Sequence, residues 1–467
     1  MRGITSWSYT PFKPFDRIGE VKQPFICRVA PYLDYCEIEF KDLFDDGAHT
    51  LLFRKRDAEK WDEIPLSEST YTIKKLEEQI DYEIAVRRES DGILSLPRLF
   101  TCGEIQGVVT NYLHKDDPIY SFSGRFLCSP SILVLPSGKI LVSMDVYAGK
   151  CPENLTIIME STDGGKTFSY LCELFPCFWG KLFLHKGEVY MFSTSTEYGE
   201  LLIGKSTDEG KTFCPPTRLF NGGGGKSGGT GCHKAPMPVI SHKGRLWTAV
   251  DHNTYQGRHG NGFVSVDENS DLLDAANWNF TEVLRWDDSW PGMSEGESTG
   301  FLEGNAVIGP DGELYNVLRY NTASCKPSHY RSGVYRGFPD DPDRKPEFYK
   351  VIDFEGGSNN KFDLIFDEVS GFYISVGCEI INTERPGVRN ILSLSCSKEL
   401  DNFRFVKRVV DVSHLDWDTN WVQYASIATD GDDLLVLVRT SANGAVRGHD
   451  ANYQTLHRVE NFRQYLK

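Results

Sequence analysis

A chain of 467 residues is too long for one small domain, and its 28 Phe, 21 Tyr, 9 Trp and 43 Gly describe a folded, turn-rich, aromatic protein rather than a disordered one. A formal net charge of -16 without any run of Lys and Arg excludes a general nucleic-acid binder, because neutralising phosphates needs clustered cations. No window approaches the roughly 18 consecutive apolar residues of a membrane span, and the opening MRGITSWSYT has neither region of a signal peptide, so the expected location is cytoplasmic, away from membranes.

Residues 20–102 form the first predicted unit. Short runs such as FICRVA, YCEIEF, HTLLFRKR and DYEIAVRR alternate apolar and polar residues between turn signals, the pattern of a small β-sandwich. Leu76, then Tyr82 in an alternating Tyr-Glu-Ile-Ala-Val run, resembles the late-strand signature of fibronectin type III domains. That resemblance implies a structural Tyr82 whose hydroxyl bonds back to the backbone.

Residues 103–467 form the second unit. From about Leu127 one phrase recurs: an apolar strand, a tight turn, and a second apolar strand. The copies are SPSILVLPSGKILVSM, KLFLHKGEVYMFS, KAPMPVISHKGRLWTAV, EGNAVIGPDGELYNVLR, KFDLIFDEVSGFYISVG and YASIATDGDDLLVLVRT, with turn glycines Gly138, Gly187, Gly244, Gly312, Gly371 and Gly431. Six such hairpins at a period of roughly 50 to 70 residues predict an all-β, six-bladed β-propeller behind the sandwich.

Two turns between these hairpins, STDGGKTF at residues 161–168 and STDEGKTF at residues 206–213, read as Asp-boxes (BNR repeats), with SCSKELDNF at 395–403 a degenerate copy. Asp163 and Asp208 would accept backbone N–H groups inside their turns and leave glycine the left-handed conformation, a structural role on the face away from any chemistry. The Gly-rich NGGGGKSGGTG at residues 221–231 lacks the spacing of a phosphate loop and reads as a mobile loop over the propeller face. Twelve cysteines without a C-x-x-C pair read as reduced thiols, and no cofactor or metal is expected; the acidic run at residues 340–343 reads as a solvated turn.

In a propeller the starts of innermost strands and the ends of second strands share one face. That geometry gathers Ser129, Lys181, His233, Glu303, Lys361 and Gln423-Tyr424 with Asp145, Glu197, Asp251, Arg319 and Arg439. Charged residues where a plain core would take Val or Ala point to a convergent polar site.

The body resembles the sialidase (neuraminidase) superfamily. In that family a Glu opens an inner strand and an Arg closes the next, as Glu303 and Arg319 do in LEGNAVIGPDGELYNVLRY; a later Arg precedes an Asp-box-like strand, as Arg389 does; and a nucleophilic Tyr opens the last blade, as in Tyr424-Ala425-Ser426. The resemblance implies an exo-acting glycoside hydrolase removing an acidic or modified terminal sugar from an oligosaccharide. Tyr424 would be the nucleophile, Glu303 its base, Asp145 or Glu153 the acid/base, and Arg319 and Arg389 the grip on an anionic substrate. Sialidases open their first blade with Arg-Ile-Pro, where this chain has Cys128-Ser129-Pro130, with Arg125 nearby.

Two further readings stand beside this one. A lyase acting on uronic-acid glycans would use His233 or His449 with a tyrosine, and Lys234 and Lys361 to neutralise a carboxylate. Gln423, Arg439 and His449 join Arg319, Arg389, Lys234 and Lys361 as candidate substrate-binding residues, and the missing Arg-Ile-Pro keeps a third reading, a silent glycan-binding propeller without turnover. The sequence leaves the oligomeric state open.

Overall fold

The structure, a computed structural model, describes residues 23–45, 47–220, 225, 231–252 and 259–467. The Gly-rich stretch assigned above to a loop lies outside these residues except for Gly225 and Gly231, as does the opening segment. The chain is all-β, with 3-10 turns at Ala275–Asn277 and Phe462–Tyr465. No described helix is long and apolar enough to cross a membrane.

The front of the chain builds two sheets. Phe25–Pro31, Tyr35–Lys41 and Thr70–Lys74 form one; Asp62–Leu66, His49–Lys55, Asp81–Arg88 and Arg98–Thr101 form the other. Ile26, Val29 and Ile38 from the first and Leu51, Ile84 and Val86 from the second meet in one apolar cluster, a register shift between Ile26 and Arg28 keeping Val29 on the face of Ile26. The Tyr82 hydroxyl accepts the Glu77 N–H at 2.9 Å and pins the preceding turn. Val109, Tyr112, Ala442 and Tyr453 from later in the chain complete the cluster, so this unit shares its core with the body. Fully buried Arg98 reinforces the join, donating to the Ile26 carbonyl at 2.7 Å and pairing with Asp117 at 2.5 Å.

The body is propeller-like. Each predicted hairpin forms, and among the described residues each seeds an antiparallel sheet of four strands or more. The turn glycines all take positive φ, from 62° at Gly431 to 84° at Gly138, the reason a side chain would strain those turns. The first sheet runs outward through Phe126–Val134, Ile140–Tyr147, Thr156–Ser161 and Ser169–Leu174; the second, fourth and fifth follow the same chain-order pattern from Phe178–His185, Gly300–Ile308 and Asp363–Asp367. In the third, Cys232–His233 and Val239–His242 both pair with Arg245–His252, because the leading strand is interrupted after His233.

The sixth sheet closes the circle. Trp421–Asp430, Asp433–Ser441 and Tyr453–Val459 are joined at the outer edge by Val108–Tyr112, from the other end of the body. The leading strand of the sixth sheet packs against that of the first, the first against the second, and the fourth, fifth and sixth likewise.

The two STD turns behave as their composition demands. Asp163 Oδ1 accepts the N–H groups of Lys166 and Thr167 at 3.0 Å, and Oδ2 accepts the Thr167 hydroxyl at 2.6 Å. Burial opposes ionisation there, but these donors outweigh it and hold the carboxyl down to about 2. Asp208 repeats the pattern with Thr212, while Phe168 and Phe213 enter adjacent core clusters.

Candidate functional site

Four leading strands share one irregularity. Ser129-Pro130, Trp179-Gly180, Glu303-Gly304 and Tyr424-Ala425 each place two residues opposite one on the second strand. These are β-bulges whose first residue is left-handed, with φ of 51°, 53°, 53° and 55°. Asn359, just ahead of the fifth sheet, takes φ of 61°. Side chains that a regular strand would bury in the sheet are thereby redirected, and a bulky residue at positive φ persists only where its surroundings enforce it.

Carboxylates from the preceding sheets supply that enforcement. Asp145 accepts the Trp179 N–H at 2.7 Å, and Asp251 accepts the Glu303 N–H at 2.7 Å. Asp363 accepts the Ile427 N–H at 2.9 Å and the Ser426 hydroxyl at 3.2 Å, directly after the Tyr424 bulge. Three interior aspartates thus clamp three bulges across sheet boundaries.

The bulges bring most of the sequence-predicted residues together. Arg319 Nη1 donates to Glu303 Oε2 at 2.7 Å and to the Tyr424 hydroxyl at 3.2 Å, so one guanidinium bridges carboxylate and phenol. The guanidiniums of Arg389 and Arg439 each lie 5.3 Å from the Tyr424 ring centre. Arg389 is oriented by Gln423 Oε1 at 2.6 Å and the Asn359 carbonyl at 2.9 Å. Arg439 donates to the His449 carbonyl, and the His449 ring bonds Asp450 at 3.0 Å.

The electrostatics divide the groups by role. Burial alone would raise Glu303, but the charge and hydrogen bond of Arg319 together with the neighbouring cations outweigh it and hold the carboxyl below the usual carboxylate range, so it is ionised near neutrality. Burial, helped by the charge of Arg439, pushes His449 down to about 4 and keeps it neutral. Tyr424 is partly exposed, whereas Glu303 and Arg319 are buried beside it.

His233 joins this group from the side. Its Nδ1 faces Asp251 at 3.2 Å, the carboxylate that also holds the Glu303 backbone. Its ring packs on Trp179 at 4.1 Å and on His259 at 4.6 Å. His233, Asp251 and His259 offer ligand atoms within 4.8 Å of one another, the described group best able to hold a metal ion, although Asp251 is already hydrogen-bonded to the Glu303 backbone and Asn261.

The remaining predicted residues are placed differently. Asp145 is fully buried and accepts the Thr156 hydroxyl at 2.5 Å as well as the Trp179 N–H, which makes it a clamp sealed from solvent. Lys234 and Lys361 are likewise fully buried, Lys361 within electrostatic reach of Glu303 and Lys234 within that of Asp251. Cys128 packs with Phe178, Trp179 and Tyr147 where the Arg-Ile-Pro arginine was sought. Arg125 is exposed and bonds the Lys115 carbonyl at 3.4 Å, outside the cluster. Sequence reasoning missed Trp179, His259, Asn359 and Asp363; the pairs Trp-Gly and Glu-Gly at strand starts were the available signal for bulges.

No protein-family model and no curated protein matches the chain. Among solved structures it is similar to a Hadza microbial sialidase, at 11% identity over 94% of each chain with a TM-score of 0.52. It is also similar to an α-L-arabinanase from Penicillium chrysogenum complexed with arabinobiose, at 14% identity over 76% of this chain and 98% of that one, with a TM-score of 0.51. Identities this low speak for a common fold.

Proposed function

We propose that the chain is a glycoside hydrolase that removes a terminal, acidic or otherwise modified sugar from an oligosaccharide. In this reading residues 103–467 are a six-bladed propeller of sialidase-like type, the STD turns are its Asp-boxes, and residues 20–102 are a fibronectin type III-like sandwich. The observation that carries the proposal is the single guanidinium of Arg319 bonded at once to Glu303 and to the hydroxyl of a partly exposed, left-handed Tyr424.

Tyr424 attacks the anomeric carbon as the glycosidic C–O bond breaks and the departing oxygen takes a proton from Glu153, while the phenol proton passes to the ionised Glu303 through a shift of the Arg319 bridge; water deprotonated by Glu153 then releases the sugar from Tyr424. Arg319, Arg389 and Arg439 stabilise the negative charge that develops on the phenol oxygen and receive anionic substituents of the sugar. Glu153, buried within electrostatic reach of Tyr147 and Cys128, takes the acid/base role, since Asp145 is committed to the Trp179 bulge. The relatedness in fold to a sialidase and an arabinanase supports a sugar substrate.

The test is hydrolysis of chromogenic sialosides, uronosides and arabinofuranosides by purified protein. Tyr424→Phe and Glu303→Gln are expected to lower kcat by roughly 10²–10⁴-fold while Tyr424→Phe leaves the melting temperature nearly unchanged. Tyr424→Phe retaining full activity would refute the assignment of the nucleophile. Appearance of an ultraviolet-absorbing unsaturated product would instead support the lyase reading, which the His233–Asp251 pair favours.

A further inference from the structure

Three adjacent strands of the third sheet, Cys232–His233, Arg245–His252 and Gly260–Asp267, gather His233, Asp251 and His259, the last standing just ahead of its strand. The register sets His233 opposite Asp251 and Gly260 opposite His252. One donor atom from each of the three residues lies within 4.8 Å of the other two, and His233 Nδ1 is already 3.2 Å from Asp251 Oδ2. A cation that holds ligands tetrahedrally at about 2.1 Å spaces them about 3.4 Å apart, so the widest gap has to close by about 1.4 Å at most.

His233 and His259 are 7% and 9% exposed. His259 Nδ1 is sealed from solvent and has no hydrogen-bond partner among the described residues. A buried ring nitrogen left without a partner costs free energy, and a ligand on it removes that cost. Asp251 is oriented as ligand carboxylates are, with Oδ1 accepting from Asn261 at 2.8 Å and Oδ2 accepting the Glu303 N–H at 2.7 Å. Its two oxygens carry about four lone-pair sites, so each keeps one free when His233 turns a deprotonated Nδ1 to an ion instead of to Asp251. Of the charges that act on His259, Asp251 and Glu303 favour a cation and Arg319 opposes it. Lys234, within reach of Asp251, also opposes a cation while it is protonated.

We propose that His233, Asp251 and His259 bind one divalent cation of the zinc class. Two imidazoles and a carboxylate suit zinc and its neighbours, whereas calcium and magnesium take oxygen ligands. Three protein ligands leave a fourth position for water. Because Asp251 also holds the Glu303 N–H, an ion on Asp251 stiffens the bulge that aims Glu303. The site stands on its ligand geometry and is independent of the glycosidase reading. It does bear on the lyase reading, since a metal on His233 takes the lone pair that a catalytic base needs.

The experiment strips the full chain with a chelator, adds zinc back, and measures the metal retained per chain after gel filtration, with thermal unfolding alongside. One equivalent is expected, with a melting temperature raised by roughly 2–3 °C when free zinc is about a hundred times its Kd, and no such rise with magnesium or calcium. His259→Gln should lose both the equivalent and the rise. His185→Gln, whose ring bonds the Glu268 carbonyl from the far end of Phe178–His185, should keep both. Because a histidine variant can misfold, cobalt(II) on the unaltered chain gives a second measurement: the visible absorption bands of a four-coordinate site, abolished by zinc. No retained equivalent, equal stabilisation by magnesium, or full retention in His259→Gln would overturn the proposal.

Discussion

Tyr424 sits at a φ of 55°, where a bulky L residue pays about 1–3 kcal/mol, and every polar contact around it helps to hold it there. Its chemical type made it visible in the sequence, as did the types of Glu303, Arg319 and Arg389, since charged residues at strand starts contradict a plain core. Asp145 was visible for the same reason and was assigned the wrong surroundings, because alternation says which face a residue occupies and not what arrives from the next sheet. Its environment gives a pH test. Burial pushes the Asp145 carboxyl up to about 7 despite its hydrogen bonds to Thr156 and Trp179. The folded chain therefore keeps a proton that the unfolded chain releases near pH 4. The resulting stabilisation is full below about pH 4 and is lost as pH rises through about 7, a change on the order of a few kcal/mol. Asp145→Asn, which does not titrate, should flatten that part of the profile in urea midpoints taken between about pH 4 and 8. Parallel profiles for the two proteins would show that Asp145 is ionised throughout.

At the scale of elements, the hairpins were legible to within a few residues because each pairs an apolar run with a turn glycine. The bulges were not. A two-against-one pairing leaves no periodic trace, only a small residue after a large one. That small residue is nevertheless required: a Cβ on Gly304 would stand 1.9 Å from Asn316 Oδ1 and 2.7 Å from its Cγ, inside a fully buried side chain. Gly304→Ala should cost about 1–3 kcal/mol in chemical denaturation and reduce activity further than stability explains, because Glu303 turns with the bulge. Gly149→Ala, where a Cβ would meet nothing within 4 Å, serves as the matched control and should leave both unchanged. Equal effects of the two substitutions would show that the bulge does not aim Glu303.

For the whole molecule, the change in repeat marks a front unit and a body in the sequence, but nothing in the sequence announces the core cluster that residues of both share. Arg98 is the joint. Its loss strands Asp117, 1% exposed, as an uncompensated buried charge, and Arg98→Ala should destabilise the chain by about 3–5 kcal/mol. Adding Asp117→Asn should recover part of that loss, as read from thermal unfolding; a double variant no better than the single one would place the effect in the carbonyl contacts to Ile26 and Tyr112 instead.

The strand Val108–Tyr112 pairs with Tyr453–Val459, and Thr110 bonds Gln454 across 344 positions of chain. A ribosome delivers those partners 344 positions apart. Until the later strand emerges, the edge that will receive it is unpaired backbone, open to any other extended segment. Loop-closure entropy falls due before the contact that repays it, so ring closure is expected to be a late and slow event in folding, and the interval before it the period of greatest aggregation risk.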